Sequence, residues 1–429
     1  MTVSEFLGDV LGSELPVRFR AYDGSAIGPA GARTTVVVQS SDALRRIATA
    51  PDELGFGRAY VAGDFEIDGD VFDVLQMLTT LQEVKVRPAQ IASAFKLLGM
   101  HALRPLPPPP EEARLRGRRH SKARDAAAIS FHYDVSNEFY RIVLGPSLTY
   151  SCAVWTDTTT TLEAAQANKH ELVARKLGLR PGTRLLDIGC GWGGMVLHAA
   201  RHHGVHAVGV TLSKPQADHA RIRAKELHLD DVVEIRHGDY RDITDGPYDA
   251  VTSIGMFEHV GLSQLADYFE RCHALLAPQG RFVNHGISRA AHMPIATHGR
   301  FARRGLSRDF TERYVFPDGE LHEVGAVVSA MQAARFEVRH VESLREHYAL
   351  TLRQWVKNLE ADWSAAVREA GAGRARVWRL YMAAAALGFE QDEGEIHQVM
   401  ATKTVGGDSG LPLRPSVALP DEPPPVTNW

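Results

Sequence analysis

The sequence predicts an α/β fold, in which a Rossmann-like parallel sheet carries helices on both faces and a smaller N-terminal α+β domain accompanies it. Short apolar runs rich in β-branched residues alternate with helical segments between residues 160 and 290. Strand–helix alternation at this spacing is typical of a parallel sheet covered on both faces. A glycine-rich turn also joins the first of these strands to the helix that follows it.

The predicted elements follow one another in a regular order. The strands are Thr183–Gly189, His206–Leu212, Val232–Asp239, Tyr248–Gly255 and Gly280–Ser288. The helices are Leu162–Leu177, Gly193–His202, Pro215–Leu227 and Leu265–Leu276. The first helix is expected to begin with a capping box from Thr160 to Glu163 and to end at Gly178.

Composition divides the chain into four segments. Residues 104–125 hold four consecutive prolines and then six Lys or Arg against two Glu, which predicts a stiff linker. This linker separates an N-terminal domain, 1–103, from a larger domain, 126–404. It is either a plain solvated connection or a basic strip that meets anionic lipid headgroups. Residues 405–429, rich in proline and glycine, are expected to form a disordered tail.

Charge and cysteine content exclude several classes of protein. The formal net charge of -4 argues against a general nucleic-acid binder, which is usually basic. Three scattered cysteines are too few for a disulfide framework or a zinc knuckle, and they fit a reducing cytosol. The first residues have no basic segment before an apolar core, so no signal peptide is expected. Without an apolar run long enough to span a bilayer, membrane contact is expected to be peripheral.

The glycine-rich segment LLDIGCGWGG, residues 185–194, matches the sequence patterns of two different cofactor sites. A dinucleotide fingerprint, GxGxxG, is matched by Gly189, Gly191 and Gly194, but that match alone is weak. The fingerprint also needs an acid at the end of the second strand to hold a ribose. That point reads GVTLSKPQ, residues 209–216, and contains no acid.

The other pattern, acid-x-Gly-x-Gly-x-Gly, is typical of S-adenosylmethionine-dependent methyltransferases and is matched by Asp187, Gly189, Gly191 and Gly193. This cofactor has no pyrophosphate, so the loop need only pass closely beneath its amino-acid and ribose portions. Asp187 is expected to hold the loop or the methionine amine. The stretch His237–Ile243 offers polar and aromatic side chains to adenine. The sequence therefore predicts a class I methyltransferase fold.

Several stretches together resemble the cyclopropane fatty acid synthase family of S-adenosylmethionine-dependent enzymes. They are FHYDVSNEFY (131–140), LTYSCAVW (148–155), AQANKHELVARKLGL (165–179), LLDIGCGWGG, GVTLSKPQ, SIGMFEHVG (253–261) and HYALTLRQW (347–355). This resemblance covers roughly residues 125–400. The segment GFGRAYVAGDFEIDGD (55–70) is similar, less specifically, to the extra domain of the longer phospholipid-acting members. It implies a lipid or assembly role for residues 1–103.

The resemblance implies a reaction on a phospholipid. A methyl group from S-adenosylmethionine joins the cis double bond of an unsaturated acyl chain of the oleoyl type, and a carbocation forms. Bound bicarbonate then removes a proton. The segments NHGIS (284–288) and FPDGELHEVG (316–325) depart from the HTI and FPxGxLPS of many cyclopropane-forming members. They are more similar to the actinobacterial branch that makes 10-methylene fatty acids, so that product is favoured, with cyclopropane closure as the alternative.

The site residues of the family are carried over position by position. The implied anion site comprises Cys152, Glu258, His285, Ile287 and Tyr348. The implied cofactor contacts are Tyr150, Ser151, Asp187, Gly189, Gly191, Gly193, Thr211, Leu212, Gln216, Asp239 and Tyr240. Aromatic side chains expected to stabilise the cation through their π faces are Tyr133, Phe139 and Tyr150, with core packing as the alternative for each.

The chemistry of these residue types supports an anion site. Histidine, tyrosine and backbone N–H groups all donate hydrogen bonds to a small anion. A carboxylate beside an anion is unfavourable unless it shares a proton, so Glu258 is expected to orient His285 or to hold the bicarbonate OH. Cys152 is expected to form part of the wall and not to act as a nucleophile, because the alkene attacks the cofactor directly.

Three other classes of function stay open. They are an NAD-dependent oxidoreductase, a non-catalytic lipid-binding protein and a metal hydrolase built on Glu258, His259 and His285. The hydrolase lacks the spacing of a HExxH helix, so no metal is expected. The expected partner is the phospholipid bilayer, met peripherally on the cytoplasmic face of the plasma membrane, with no nucleic acid. A homodimer or higher oligomer, and a reductase that consumes the methylene product, are left open.

Overall fold

The computed structural model of the chain describes residues 1–12, 14–50, 53–80, 97, 99, 104–113, 121, 124–125, 135–293, 307–317, 319–415, 417 and 419. Its contacts divide the chain into two compact units. The first unit is made of Met1–Arg114, Thr297–Pro317 and Leu359–Leu387. The second unit is made of Leu115–Ala296, Asp318–Asn358 and Gly388–Trp429.

The helices are numbered here in chain order. They are α1 (Val3–Leu11), α2 (Ser41–Thr49), α3 (Glu53–Ala62), α4 (Val71–Thr80), α5 (Asn137–Leu144), α6 (Leu162–Leu177), α7 (Gly194–His203), α8 (Lys214–Glu226), α9 (Leu265–Leu275), α10 (Ser307–Tyr314), α11 (Val324–Ala333), α12 (Arg345–Ala361), α13 (Trp363–Ala370) and α14 (Ala372–Glu390). Short 3₁₀ helices lie at Tyr240–Asp242, Phe257–His259 and Leu262–Gln264.

The strands form one sheet in each unit. They are β1 (Arg18–Ala21), β2 (Ala26–Ile27), β3 (Thr35–Val38), β4 (Phe65–Asp68), β5 (Arg184–Ile188), β6 (His206–Thr211), β7 (Val233–His237), β8 (Tyr248–Ile254), β9 (Leu276–Arg289), β10 (Glu337–Ser343) and β11 (Gly394–Thr402). The first unit holds the small sheet, in the order β2-β1-β3-β4. With α1–α4 around it, this sheet confirms the predicted N-terminal α+β fold.

Two later segments of the chain complete the first unit. The Arg379 guanidinium of α14 is buried and donates to the Tyr60 hydroxyl at 3.1 Å and to the Gly69 carbonyl at 2.8 Å. Arg313 of α10 pairs with the buried Glu112 carboxylate at 2.7 Å, and Arg58 of α3 binds the same carboxylate. The N-terminal residues therefore share one core with segments that lie far along the sequence.

The second unit contains the predicted α/β sheet. Its strand order is β10-β11-β9-β8-β5-β6-β7, and the five predicted strands, β5 to β9, pair in parallel. The structure adds β10 and β11, of which β11 runs antiparallel to both of its neighbours. The order of strands reverses at β5, which lies between β6 and β8. In open sheets of this kind, ligands bind at the carboxyl ends of the strands beside such a reversal.

Alternate side chains along the strands of this sheet point into two cores. On one face, Leu186 and Phe282 pack in a buried cluster with α9 and α11. On the other face, Leu185 and Val283 pack in a second cluster with α6, α7 and α8. Helices on both faces were predicted from the strand–helix alternation, and the two clusters confirm them.

Helix α6 differs from the prediction at its start. Its N-cap is Thr161, whose side chain accepts from the Ala164 amide at 3.2 Å, so the capping box predicted from Thr160 is wrong. The Thr160 hydroxyl instead bonds the Thr156 hydroxyl at 2.8 Å, within the preceding turn. The helix ends at Gly178 in the left-handed conformation, as predicted.

The segment after β11 is bonded to the sheet at its beginning. Val405 pairs with Asp408, whose carboxylate accepts from the Gln279 amide at 2.7 Å. The Ser409 carbonyl accepts from the Thr402 hydroxyl at 3.0 Å. Tight bonding of this kind departs from the disorder expected for the first residues of the tail. Among the described residues, no helix is both long and apolar enough to cross a membrane.

Candidate active site

The glycine-rich turn after β5 shapes one wall of a cavity. Gly189 has a φ of 80° and Gly191 a φ of 55°, conformations that glycine adopts without steric cost. The amides of Gly189 and Cys190 both donate to the Val210 carbonyl, at 2.9 and 3.0 Å, which folds the turn over the end of β6. A Cβ at Gly191 would meet no atom within 4 Å. The backbone is thus open to close approach by a ligand.

The cavity lies at the carboxyl ends of β5, β6 and β8. Nine of the predicted cofactor residues line it: Tyr150, Ser151, Asp187, Gly189, Gly191, Thr211, Leu212, Gln216 and Tyr240. Two others are placed differently. Gly193 is the N-cap of α7, and the Asp239 carboxylate pairs with Arg241 at 2.7 Å. Neither of these two residues is among the described residues that line the cavity.

Two buried charged groups lie beside this cavity. Asp187, at the end of β5, accepts from the Thr252 hydroxyl at 2.6 Å, and burial raises its pKa to about 6. Lys169 of α6 donates to the Ser151 hydroxyl at 3.1 Å, and burial lowers the pKa of its ammonium to about 7. The opposite charge of Lys169 moderates the rise at Asp187. Sequence reasoning placed Asp187 here and missed Lys169, which belongs to a helix buried along nearly its whole length.

Glu258 lies in the short helix Phe257–His259 that follows β8. Its Oε1 accepts from the backbone N–H of Ile287 at 2.8 Å, so two of the predicted anion-site residues are in direct contact. Its Oε2 is buried and has no hydrogen-bond partner among the described residues. Burial raises the pKa of this carboxyl to about 7. Glu258 can therefore hold or release a proton near neutral pH.

His285 lies on β9 and is completely buried. Its Nδ1 is 2.9 Å from the side-chain amide nitrogen of Gln398, while its Nε2 has no hydrogen-bond partner among the described residues. Burial lowers the pKa of the imidazole well below its usual value, so the ring is neutral at pH 7. Glu258 was expected either to orient His285 or to hold the bicarbonate OH. In this structure the residue that orients His285 is Gln398. Gln398 was not predicted from the sequence.

The Cys152 thiol and the backbone amide of Tyr348 meet at the Leu344 carbonyl, just before α12. The Cys152 thiol is buried, 3.2 Å from the Ala153 carbonyl and 3.7 Å from the Leu344 carbonyl, which also accepts from the Tyr348 amide at 3.1 Å. Burial raises the pKa of the thiol far above its usual value, so it stays protonated. A buried, protonated thiol fits the wall of a pocket better than it fits a nucleophile.

Known proteins similar to this chain identify its family. Residues 120–399 match the family model described as mycolic acid cyclopropane synthetase. The chain belongs to this family. The predicted resemblance is confirmed, and the chain is an S-adenosylmethionine-dependent methyltransferase of the cyclopropane synthase type.

Two full-length relatives of this cyclopropane synthase family member align with nearly the whole chain. A probable fatty acid methyltransferase of Mycobacterium tuberculosis is 44% identical over 412 residues, which cover 93% of this chain and 94% of the relative. A tuberculostearic acid methyltransferase of the same organism is 31% identical over 407 residues, covering 90% and 87%. The solved structure of a mycolic acid cyclopropane synthase complexed with SAH and CTAB is 32% identical, with a TM-score of 0.60. It covers 65% of this chain and 98% of that one.

Two aromatic side chains expected near the cation are not among the described residues that line the cavity of this family member. Phe139 is buried, and its ring centroid lies 6.0 Å from that of Tyr140 in an edge-to-face contact. Its position agrees with the core-packing alternative. Tyr133 lies outside the described residues. Tyr150 does line the cavity, with its ring 5.3 Å from that of Trp355.

Gly286 separates the two anion-site residues of β9. A Cβ at this position would lie 1.9 Å from Cε1 of Phe257, a distance that no side chain tolerates. The glycine therefore lets the Phe257 ring pack directly on the strand beside Glu258. The glycine of the HGI sequence, residues 285–287, therefore has a direct packing consequence at the site.

Proposed function

We propose that this enzyme methylates the cis double bond of an oleoyl-type phospholipid chain and converts it to a 10-methylene acyl chain. The alkene π electrons form the new carbon–carbon bond as the methyl group leaves the sulfur of S-adenosylmethionine. A hydride shift then moves the cation by one carbon. Loss of a proton from the added carbon leaves a methylene branch, C=CH₂, on the acyl chain.

The cavity at the carboxyl ends of the strands supports the cofactor assignment. Its glycine turn provides a backbone cradle at Gly189 and Gly191 where a Cβ at Gly191 would meet open space. Thr211 donates to Gln216 at 2.9 Å, which holds the polar start of α8 beside the cavity. These residues would hold S-adenosylmethionine, which supplies an electrophilic methyl group when it is bound.

The proposed base rests on two buried polar atoms whose hydrogen-bonding capacity is unused. Nε2 of His285 and Oε2 of Glu258 are both buried and lack partners among the described residues. Buried polar atoms are usually hydrogen-bonded, so both atoms are available to a ligand. A neutral His offers a donor, and a carboxyl with a pKa of about 7 offers either a donor or an acceptor. This combination fits bicarbonate, which has both acceptor oxygens and an OH.

Bicarbonate held there would supply a base for the proton that leaves the cation. The chain's own groups would keep it in place: the imidazole of His285 would donate to it, and Glu258 would share a proton with its OH. Glu258 is itself fixed by the Ile287 amide at 2.8 Å. The Cys152 thiol is buried and protonated, so it would offer no competing nucleophile to the cofactor.

Incubation with oleoyl phospholipid vesicles and S-adenosylmethionine tests this function. The acyl chain should gain one CH₂ by mass spectrometry, and its formation should slow in buffer depleted of carbon dioxide and recover when bicarbonate is added. A methylated chain whose formation ignores bicarbonate would refute the base. No methylated lipid at any bicarbonate concentration would refute the function.

A further inference from the structure

Three side chains form a row across neighbouring strands beside the anion site. In the antiparallel pairing of β10 with β11, Glu342 lies directly opposite Gln398. In the pairing of β11 with β9, Gln398 lies directly opposite His285. Directly opposite residues project on the same face of a sheet, so their side chains are neighbours. The row leads from the edge strand β10 inward to the imidazole.

Lys176 of α6 reaches this row and fixes the orientation of its central amide. Its ammonium donates to Oε1 of Gln398 at 2.7 Å and also pairs with the Glu342 carboxylate. Lys176 is buried, whereas the Glu342 side chain is 35% exposed. A lysine ammonium has only donors, so the amide must present its oxygen to Lys176. Its NH₂ group is then turned towards His285.

The amide in turn selects one tautomer of His285. Because the NH₂ group of Gln398 donates at 2.9 Å, Nδ1 must be the unprotonated nitrogen of the ring. A neutral imidazole with an unprotonated Nδ1 carries its proton on Nε2. This is the nitrogen that is buried without a partner among the described residues. The proton is therefore presented as a donor at the buried position where the proposed function places an anion.

We infer that Lys176 and Gln398 are positioning residues that hold His285 as the Nε2–H tautomer, and that Glu342 anchors Lys176 in this role. Without the ammonium, the amide is free to rotate and present its oxygen to Nδ1. That arrangement selects the Nδ1–H tautomer and turns a lone pair of Nε2 towards the anion. The identity of the anion rests on the proposed function, whereas the tautomer does not.

Nitrogen NMR of ¹⁵N-histidine-labelled enzyme reads the tautomer directly, without turnover. The His285 signals are assigned by their absence from His285→Gln. Wild-type enzyme should show a protonated Nε2 and an unprotonated Nδ1. In Lys176→Met, Nδ1 should shift towards the protonated type, because the Gln398 amide can then present its oxygen to the ring. In Gln398→Met, which leaves the Lys176–Glu342 pair in place, the ring should become a mixture of tautomers.

A matched control lies on the same strand. Thr402 is buried on β11, and its hydroxyl lies 3.0 Å from the Ser409 carbonyl and 3.2 Å from the Gly280 carbonyl. Thr402→Val should therefore leave the His285 signals unchanged. If Lys176→Met does not fold, Gln398→Met decides alone. An unchanged Nε2–H tautomer in the folded variants would overturn the inference.

Kinetics separate this inference from the proposed function. In Gln398→Met, turnover on lipid should fall by about tenfold or more, by analogy with the loss of an outer hydrogen-bond partner from a metal-ligating histidine. The affinity for S-adenosylhomocysteine should not change. Altered tautomers in an enzyme whose wild type methylates no lipid would uphold the positioning and overturn the function. Methylation of lipid by the wild type, together with an unaltered His285 tautomer in the variants, would uphold the function and overturn the positioning.

Discussion

The pH dependence of stability should reveal the buried carboxyl of Glu258. Burial raises the pKa of this group from 4.5 to about 7 in the native enzyme, whereas in the unfolded chain it returns to its usual value. The native state therefore binds a proton that the unfolded state has already released. Between these two pKa values, stability falls as the pH rises, and at about 1.4 kcal/mol per pH unit the loss approaches roughly 3 kcal/mol.

Glu258→Gln removes this loss, because an amide resembles the protonated carboxyl and does not titrate. The free energy of unfolding is measured by urea titration at about pH 4 and about pH 8 in both the variant and the wild type. The difference between the two changes should be roughly 3 kcal/mol, with the variant favoured at high pH. Bicarbonate must be absent, since a ligand bound to the native state adds its own stabilisation.

Glu270→Gln, at an exposed position of α9, is the control and should follow the wild type. The same Glu258→Gln enzyme should lose most of its turnover and keep its affinity for S-adenosylhomocysteine. Identical pH dependence in the variant and the wild type would mean that Glu258 has the same pKa in the native and unfolded states. The carboxyl would then be ionised in the native enzyme at neutral pH. The proton sharing proposed for this residue would then be refuted.

Four further predictions address the neighbouring residues and the cofactor. Gly286→Ala should displace the Phe257 ring, destabilise the fold by about 1–3 kcal/mol in thermal unfolding, and lower turnover; unaltered stability would contradict the packing described. Cys152→Ser should keep appreciable activity, and complete inactivation of a folded variant would revive a nucleophilic thiol. Tyr348→Phe should reduce turnover while calorimetric binding of S-adenosylhomocysteine stays nearly constant, and equal loss of both would argue against the anion site. The wild-type enzyme should bind S-adenosylhomocysteine and not NADH, and tight NADH binding would restore the oxidoreductase alternative.

The strands and helices around the glycine turn were predictable because their signals are local. A short apolar run, a glycine turn and a capped helix each depend on residues that are adjacent in the sequence. Strands β10 and β11 were missed because they lack such a motif and pair in the antiparallel sense at the edge of the sheet. The N-cap of α6 was misplaced by one residue, since Thr160 and Thr161 are equally good caps in isolation.

The composition of the first unit was beyond sequence reasoning for a different reason. Arg379 meets Tyr60 and Gly69 across more than 300 positions of the chain, and no local pattern encodes such a contact. This architecture affects experiments. Deleting residues 1–110 would remove Tyr60 and Gly69, which accept from Arg379, and would leave the buried guanidinium with its ion pair to Glu360. Point substitutions therefore test the role of these residues more cleanly than deletion does.

Part of the candidate site could be predicted, because residue types suggest its chemistry. Asp187, the glycines and Glu258 could be singled out because turns, acids and buried anions demand particular side chains. Gln398 and Lys176 could not, because their importance follows from strand register and from which helix crosses the sheet. Phe139 illustrates the opposite error, since an aromatic side chain near a motif is equally suited to the core.

The most direct test of the account follows the methyl carbon itself. Enzyme, oleoyl phospholipid vesicles and S-adenosylmethionine labelled with ¹³C in its methyl group are incubated, and the lipid is examined by ¹³C NMR. The two candidate products are isomers of equal mass, but their labelled carbons resonate in different regions. The proposed reaction predicts a label in the terminal carbon of a C=CH₂ branch. A label in a cyclopropane ring would contradict the proposed product, and unlabelled lipid would contradict methyl transfer to the double bond.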